Sequence, residues 1–259
     1  MCDSWERRID RAADLAARDD GSGPLLGAYT RLLVLQRDCY ASLATHAPSL
    51  SGSLERDLAT VGACVQRILE DLARSGPPPL AEHARHLIDS GSAAVHSMLI
   101  SGWRTPSTEQ FFVKVMLQPY AELLAAHRRR PLDRDLSRAD NGCPFCGGAP
   151  QVSILQPVSE TDGGRSLQCG TCLTTWPFRR IVCVRCGEED EPKLGYFRSP
   201  AYDHVRVDTC ESCGHYMKSV DLTRLGLAVP IVDEVASAPL DWWARERGYK
   251  KIALNLIGL

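Results

Sequence analysis

Residues 143–147 read Cys-Pro-Phe-Cys-Gly, and the same Cys-x-x-Cys spacing returns at Cys169/Cys172, Cys183/Cys186 and Cys210/Cys213. Each pair supplies half of a tetrahedral thiolate site, so eight thiols point to two bound metal ions. The pairs also repeat. A shift of 40 residues carries Cys143 and Cys146 onto Cys183 and Cys186, and a shift of 41 carries Cys169 and Cys172 onto Cys210 and Cys213. A period of that size marks a duplicated structural unit. Interleaved and nested pairings satisfy the same spacings, because ligand spacing alone does not fix connectivity. The translational repeat favours the sequential arrangement, with the first two pairs on one ion and the last two on the other.

Two residues between cysteines allow a tight turn that aims both sulfurs at one point. Gly147, Gly187 and Gly214 follow the second cysteine of their pairs, where the turn often needs a positive φ; Leu173 is the exception. Four cysteines close every coordination position, which is the structural pattern rather than the catalytic one. Zinc and mononuclear iron both accept tetrahedral sulfur, so the spacing does not choose between them.

The chain has 259 residues, a net charge of -2 and 44% hydrophobic content, enough for one sizeable domain plus small modules. Charge is balanced along it: residues 1–142 carry 17 basic and 18 acidic groups, and 143–259 carry 13 and 14. A nucleic-acid binder shows a basic excess or stripe, so no nucleic-acid partner is expected. The start, Met-Cys-Asp-Ser-Trp-Glu-Arg-Arg, lacks the apolar stretch of a signal peptide. No run reaches the ~18 apolar residues of a membrane helix, so no membrane insertion is expected. The chain reads as cytoplasmic, where metal binding outweighs disulfide formation as the reason for Cys-x-x-Cys. Cys2, Cys39 and Cys64 read as ordinary small hydrophobes.

The first 140 residues read as helices, the first of them charged and the next two marked by apolar spacing. These cover residues 5–18, 25–46, 54 to near Gly76, and about 80–100. A further helix opens at Thr105-Pro106 and runs to about Arg128, with Pro119 inside as a potential kink. The charged stretch from Arg128 to Asp135 reads as a solvated linker, with Arg128–Arg130 at a helix C-terminus, in preference to an anion site. Beyond Asn141 short β-like segments take over at 151–157, 165–169, 173–184, 194–199, 204–209 and 215–222. Pro230–Arg247 is helical and a tail follows. The expected fold class is therefore α+β: an N-terminal all-α domain, two tandem small β modules and a C-terminal helix. The boundaries fall at 1–140, 141–182, 183–222 and 223–259.

Other chemistry is sparse. His204 and His215 lie near the fourth pair and could replace a ligand, but four cysteines per site already suffice. His83, His86, His96 and His127 fall on helices without a metal-binding spacing. There is no Gly-x-Ser-x-Gly, Walker loop or dinucleotide fingerprint. Arg179, Arg180 and Arg185 sit beside the knuckles, as the negative charge of a four-thiolate site demands, or as part of a partner surface. No catalytic residue is expected, and the chain reads as a non-enzyme.

One resemblance goes further. Cys143-Pro144-x-Cys146-Gly147-Gly148-x-Pro150, Leu167-x-Cys169-x-x-Cys172-x-x-x-Trp176, Arg180-x-x-Cys183-x-x-Cys186 and Cys210-x-x-Cys213-x-x-Tyr216-x-Lys218 resemble the formate dehydrogenase accessory protein family (FdhE). Gly248-Tyr249 followed by Asn255 is similar to that family's ending. The resemblance implies two rubredoxin-like modules, each binding one iron through four of the eight cysteines, behind a helical domain. It also implies a cytoplasmic protein that binds the catalytic subunit of formate dehydrogenase and assists its maturation. Two other classes are compatible with the cysteines: a rubredoxin-type electron carrier and a zinc-ribbon nucleic-acid module.

Overall fold

The computed structural model describes residues 2–18, 23–105, 110–134, 141–157 and 164–258. Six helices build the N-terminal half: α1 (Cys2–Ala16), α2 (Gly23–Ala44), α3 (Leu54–Ser75), α4 (Pro78–Asp89), α5 (Ser92–Arg104) and α6 (Phe111–Ala126). α6 is apolar on nearly every side and lies at the centre, against α2, α3 and α5.

Two helix boundaries differ from expectation. The single helix expected over 80–100 is divided, because Gly91 adopts a φ of +84° and its N–H bonds back to the Ile88 carbonyl. That left-handed residue stops α4 before α5 begins. The helix expected from Thr105-Pro106 starts at Phe111 in the structure, and Pro106 lies outside the described residues.

Pro119 sits inside α6 without interrupting it. A proline has no N–H, so the carbonyl four residues earlier loses its partner. That carbonyl belongs to Val115, and the side-chain amide of Gln36 on α2 donates to it at 2.8 Å. A fully buried polar side chain thus repairs the gap and fixes the register of α2 on α6.

The second half forms one sheet from β1 (Pro150–Leu155), β2 (Arg165–Cys169), β3 (Thr175–Pro177), β4 (Leu194–Arg198), β5 (Val205–Cys210), β6 (His215–Asp221) and β7 (Lys250–Lys251). The order is β3-β2-β1-β6-β5-β4, with β7 beside the start of β6. Neighbours within each module are antiparallel, whereas β1 and β6 run parallel from Val152/Lys218 to Leu155/Asp221. The second module therefore stands beside the first by simple translation, so the 40-residue sequence repeat reappears as a repeat in space.

The strand expected over 173–184 shrinks to three residues. Beyond Pro177 the guanidinium of Arg165 draws the chain into a turn. Its Nη1 donates to the carbonyls of Arg179, Arg180 and Val182 at 3.2, 3.1 and 3.1 Å, and its Nε donates to Ser153 Oγ at 2.9 Å.

The helix expected over Pro230–Arg247 is two: α7 (Pro230–Ala236) and α8 (Ala238–Glu246), divided at Ser237 ahead of Pro239. α7 packs on β1, β6 and α1, which joins the helical half to the sheet. Arg11 of α1 forms an ion pair with the buried Asp233 of α7 at 2.5 Å, and Arg8 of α1 grips Glu122 of α6 through two bonds of 3.0 and 2.8 Å. The tail enters the interior, where Asn255 donates to Glu234 at 3.1 Å and Lys251 pairs with Glu234 and Asp241. Lys218 completes this fully buried network of two lysines and two carboxylates. Attraction to the two carboxylates outweighs the burial penalty and raises the Lys218 pKa. Among the described residues no helix is long and apolar enough to cross a membrane.

Candidate metal centres

The structure gathers the cysteines by sequential pairs. Cys143, Cys146, Cys169 and Cys172 form one group and Cys183, Cys186, Cys210 and Cys213 another, with all sulfurs of a group within 4.8 Å of each other. Cys143–Cys172 and Cys146–Cys169 are 3.6 Å apart, and Cys183–Cys213 and Cys186–Cys210 are 3.7 Å apart. A tetrahedron with metal–sulfur bonds of about 2.3 Å has sulfur–sulfur edges of about 3.8 Å, so both groups fit a closed four-thiolate ion.

The backbone of each knuckle explains this convergence. The N–H of Gly147 bonds to the Cys143 carbonyl at 2.8 Å, Gly187 to Cys183 at 2.9 Å and Gly214 to Cys210 at 2.9 Å. The three glycines have φ values of +68°, +76° and +65°, and Leu173 adopts +55° at the fourth. Gly148 carries a further constraint. A Cβ there would stand 3.1 Å from Cys169 Sγ and 2.8 Å from Thr171 Oγ1, so the first group closes only around glycine.

The two groups differ in burial. All four cysteines of the first are buried and belong to the same core cluster as the helical half. Gln118 of α6 donates to the Gly170 carbonyl within the second knuckle at 3.3 Å, and the helical half roofs this site. In the second group Cys186 is exposed and Cys213 half-buried. Within each group the thiols perturb one another in opposite directions: neighbouring sulfurs and burial push Cys146 and Cys172 up, while other thiols are brought down. Burial raises the Cys169 pKa, but hydrogen bonds from Cys143, Cys146 and Cys172 outweigh it and bring it well below the ordinary thiol value. At Cys186 burial acts the same way, and the Glu188 N–H with the neighbouring sulfurs brings the pKa below that value.

Neither nearby histidine joins a cluster. His204 Nε2 bonds to Asp233 Oδ1 at 2.9 Å, and His215 Nδ1 lies 2.7 Å from the Cys213 carbonyl. Arg179 pairs with Glu189 at the surface. Cys39 and Cys64 are buried in the helical half, each thiol facing the other's carbonyl at 3.8 and 3.7 Å. The Cys2 side chain lies outside the described residues. Sequence reasoning missed Arg165, whose single guanidinium sets the path between the sites; a lone arginine in a short strand carries no motif.

The charged stretch after α6 is only partly solvated. Leu132 bonds through its N–H to the Gly52 carbonyl at 2.9 Å, and Arg134 is buried over the Trp103 ring at 4.5 Å.

Comparison with known proteins fits this architecture. Residues 142–180 match the family described as "FdhE, central domain" and residues 181–257 the one described as "FdhE, C-terminal domain". The chain is 33% identical over 194 residues to a protein FdhE homolog from Aquifex aeolicus, covering 74% of this chain and 68% of that relative. It is 31% identical over 134 residues to a protein FdhE homolog from Haemophilus influenzae (strain PittEE), covering 51% of this chain and 44% of that relative. The crystal structure of the FdhE protein from Pseudomonas aeruginosa superposes with a TM-score of 0.70 at 21% identity, covering 99% of this chain and 96% of that one. Two closed four-cysteine groups behind a helical half, and this extent of identity, place the chain in the FdhE family.

Proposed function

We propose that this chain is an accessory protein that binds the catalytic subunit of formate dehydrogenase and is needed for its activity, without itself turning over a substrate. Membership of the FdhE family carries the reading. The closed sulfur coordination supports it, because an ion with four protein ligands has no position for a substrate. The protein is taken to act in the cytoplasm, with iron as the resident metal and zinc as the alternative. The eight cysteines Cys143, Cys146, Cys169, Cys172, Cys183, Cys186, Cys210 and Cys213 serve as the ligands. The units of the chain are residues 1–140, 141–182, 183–222 and 223–259. In this reading the ions hold the two modules in one rigid sheet, which offers a preformed surface to the immature subunit.

The test is capture of the tagged protein from cells producing formate dehydrogenase, with the catalytic subunit sought in the eluate. Recovery of the subunit that disappears when Cys143 and Cys146 are both changed to serine supports the proposal. Absence of the subunit from the eluate, in cells shown to contain it in immature form, overturns it. A second reading, a rubredoxin-type electron carrier, draws on the exposure of Cys186 at the second site.

A further inference from the structure

A cleft of about 600 Å³ opens between α5, α6, the knuckles and the C-terminal tail. That volume suits a small organic ligand. Arg104, Lys114, Arg134, Arg185 and Lys251 line it, Cys186 of the second metal group lies on its wall, and no described lining residue is acidic. Two of the five cations are neutralised locally: Arg104 by Glu55 at 2.6 Å, and Lys251 by Glu234 and Asp241.

Three cations remain. Among the described residues no carboxylate lies within ion-pair distance of Lys114, Arg134 or Arg185. Arg134 is 8% exposed, and its Nε has no hydrogen-bond partner. A buried guanidinium N–H without an acceptor costs about 1–3 kcal/mol, more for a charged group, and is kept only where something else satisfies it. Lys114 donates to Gln151 Oε1 at 2.6 Å and to the Leu254 carbonyl, both neutral acceptors. Its ammonium is brought there by Gly170, where a Cβ would come within 2.9 Å of Nζ. None of the three donates to a cysteine sulfur among the described residues, so they are not ligands' hydrogen-bond partners.

We propose that this cleft binds a phosphate-bearing small molecule of nucleotide size. Three cations from three separate elements, none paired with a carboxylate among the described residues, favour a ligand with more than one negative charge. A diphosphate carries that charge in a compact group, and arginine forks match its oxygens. The remaining volume accommodates a nucleoside. This inference does not depend on the formate dehydrogenase reading, and either can fail alone.

Isothermal titration calorimetry on the zinc-loaded whole chain tests it, with sodium pyrophosphate and ADP as probes and citrate as a carboxylate comparison. Saturable binding is expected, weakened about tenfold in Arg185→Gln and in Arg134→Gln, the factor set by one charge-assisted hydrogen bond. It should be unchanged in Arg179→Gln, which lies outside the cleft. Arg134 packs on Trp103 and its variant risks misfolding; Arg185 is exposed, so its variant keeps the test valid. Tighter binding of ADP than of pyrophosphate supports a ligand of nucleotide size, and the reverse overturns the proposal. Absence of heat with both phosphate probes, citrate binding as tight as ADP, or wild-type affinity in Arg185→Gln overturns it.

Discussion

Leu173 stands in the same left-handed backbone conformation as Gly147, with φ of +55° against +68°, each directly after the second cysteine of its knuckle. A side chain in that conformation costs about 1–2 kcal/mol. Leu173 recovers part of this by packing its partly buried side chain against the core under the helical half. At Gly187 a Cβ would meet nothing within 4 Å, so Gly187→Ala isolates the conformational term. It should lower the stability of the metal-loaded protein by about 1–2 kcal/mol. Leu173→Gly exchanges relief of strain for lost packing and should stay within about 1 kcal/mol of the parent. Denaturant melts of both variants check this, and a large loss from Leu173→Gly would show that packing dominates.

The unequal burial of the two cysteine groups predicts unequal metal lability. Chelator challenge of protein loaded with two zinc ions should release metal in two phases, the faster one from the site with Cys186 exposed. Cys183→Ser should cost one ion and leave the helical half folded. Cys143→Ser should cost the other and also loosen the shared core to which Cys143 belongs. Metal analysis together with helical circular dichroism separates these outcomes; equal release rates would contradict the assignment.

Asp233 links acid stability to the joint between α1 and α7. Burial raises its pKa, but hydrogen bonds from His204 and Arg11 and the charge of Arg11 outweigh this, so the net shift is below 3.8. A carboxylate depressed in the fold contributes stability above its unfolded pKa and loses it as pH falls through the folded value. That contribution should therefore be complete above about pH 4 and disappear below it. Asp233→Asn should cost about 3–5 kcal/mol near neutral pH, because Arg11 is left half-buried without its partner. It should also flatten the acid limb of a stability–pH curve.

Gln36 and Pro119 should be energetically linked. Gln36→Met leaves the buried Val115 carbonyl without a donor, at about 1–3 kcal/mol. In a Pro119→Ala background residue 119 regains an N–H for that carbonyl, and the same substitution should cost less. A double-mutant cycle measures the difference, and strict additivity would refute the pairing.

The gathering of the eight cysteines into two groups of four was legible because sulfurs that converge on one point impose a spacing on the chain itself. So were α2 and α3, whose apolar residues recur at helical intervals, and α1, which read as a charged helix. The division of 80–100 was missed because Gly91 ends a helix only through its φ, which a lone glycine does not announce. The parallel pairing of β1 with β6 joins residues more than sixty positions apart and rests on no local pattern. The difference in burial between the metal groups was invisible for the same reason, since it arises from α6 covering only the first. The cleft escaped notice because Lys114, Arg134 and Arg185 stand far apart in the sequence and only the fold brings them to one wall.

The side-by-side placement of the two modules has no rotation to close it. Joining β1 to β6 used one edge of each module, so the opposite edges, β3 and β4, are still shaped to meet a further copy of the unit. A design of this kind is the start of a filament unless its ends are blunted. Here β3 stops after three residues at Pro177, and β4 ends at Arg198 shortly before Pro200. The short length of β3, the cation at Arg198 and imino acids that cannot donate blunt both edges against a third unit.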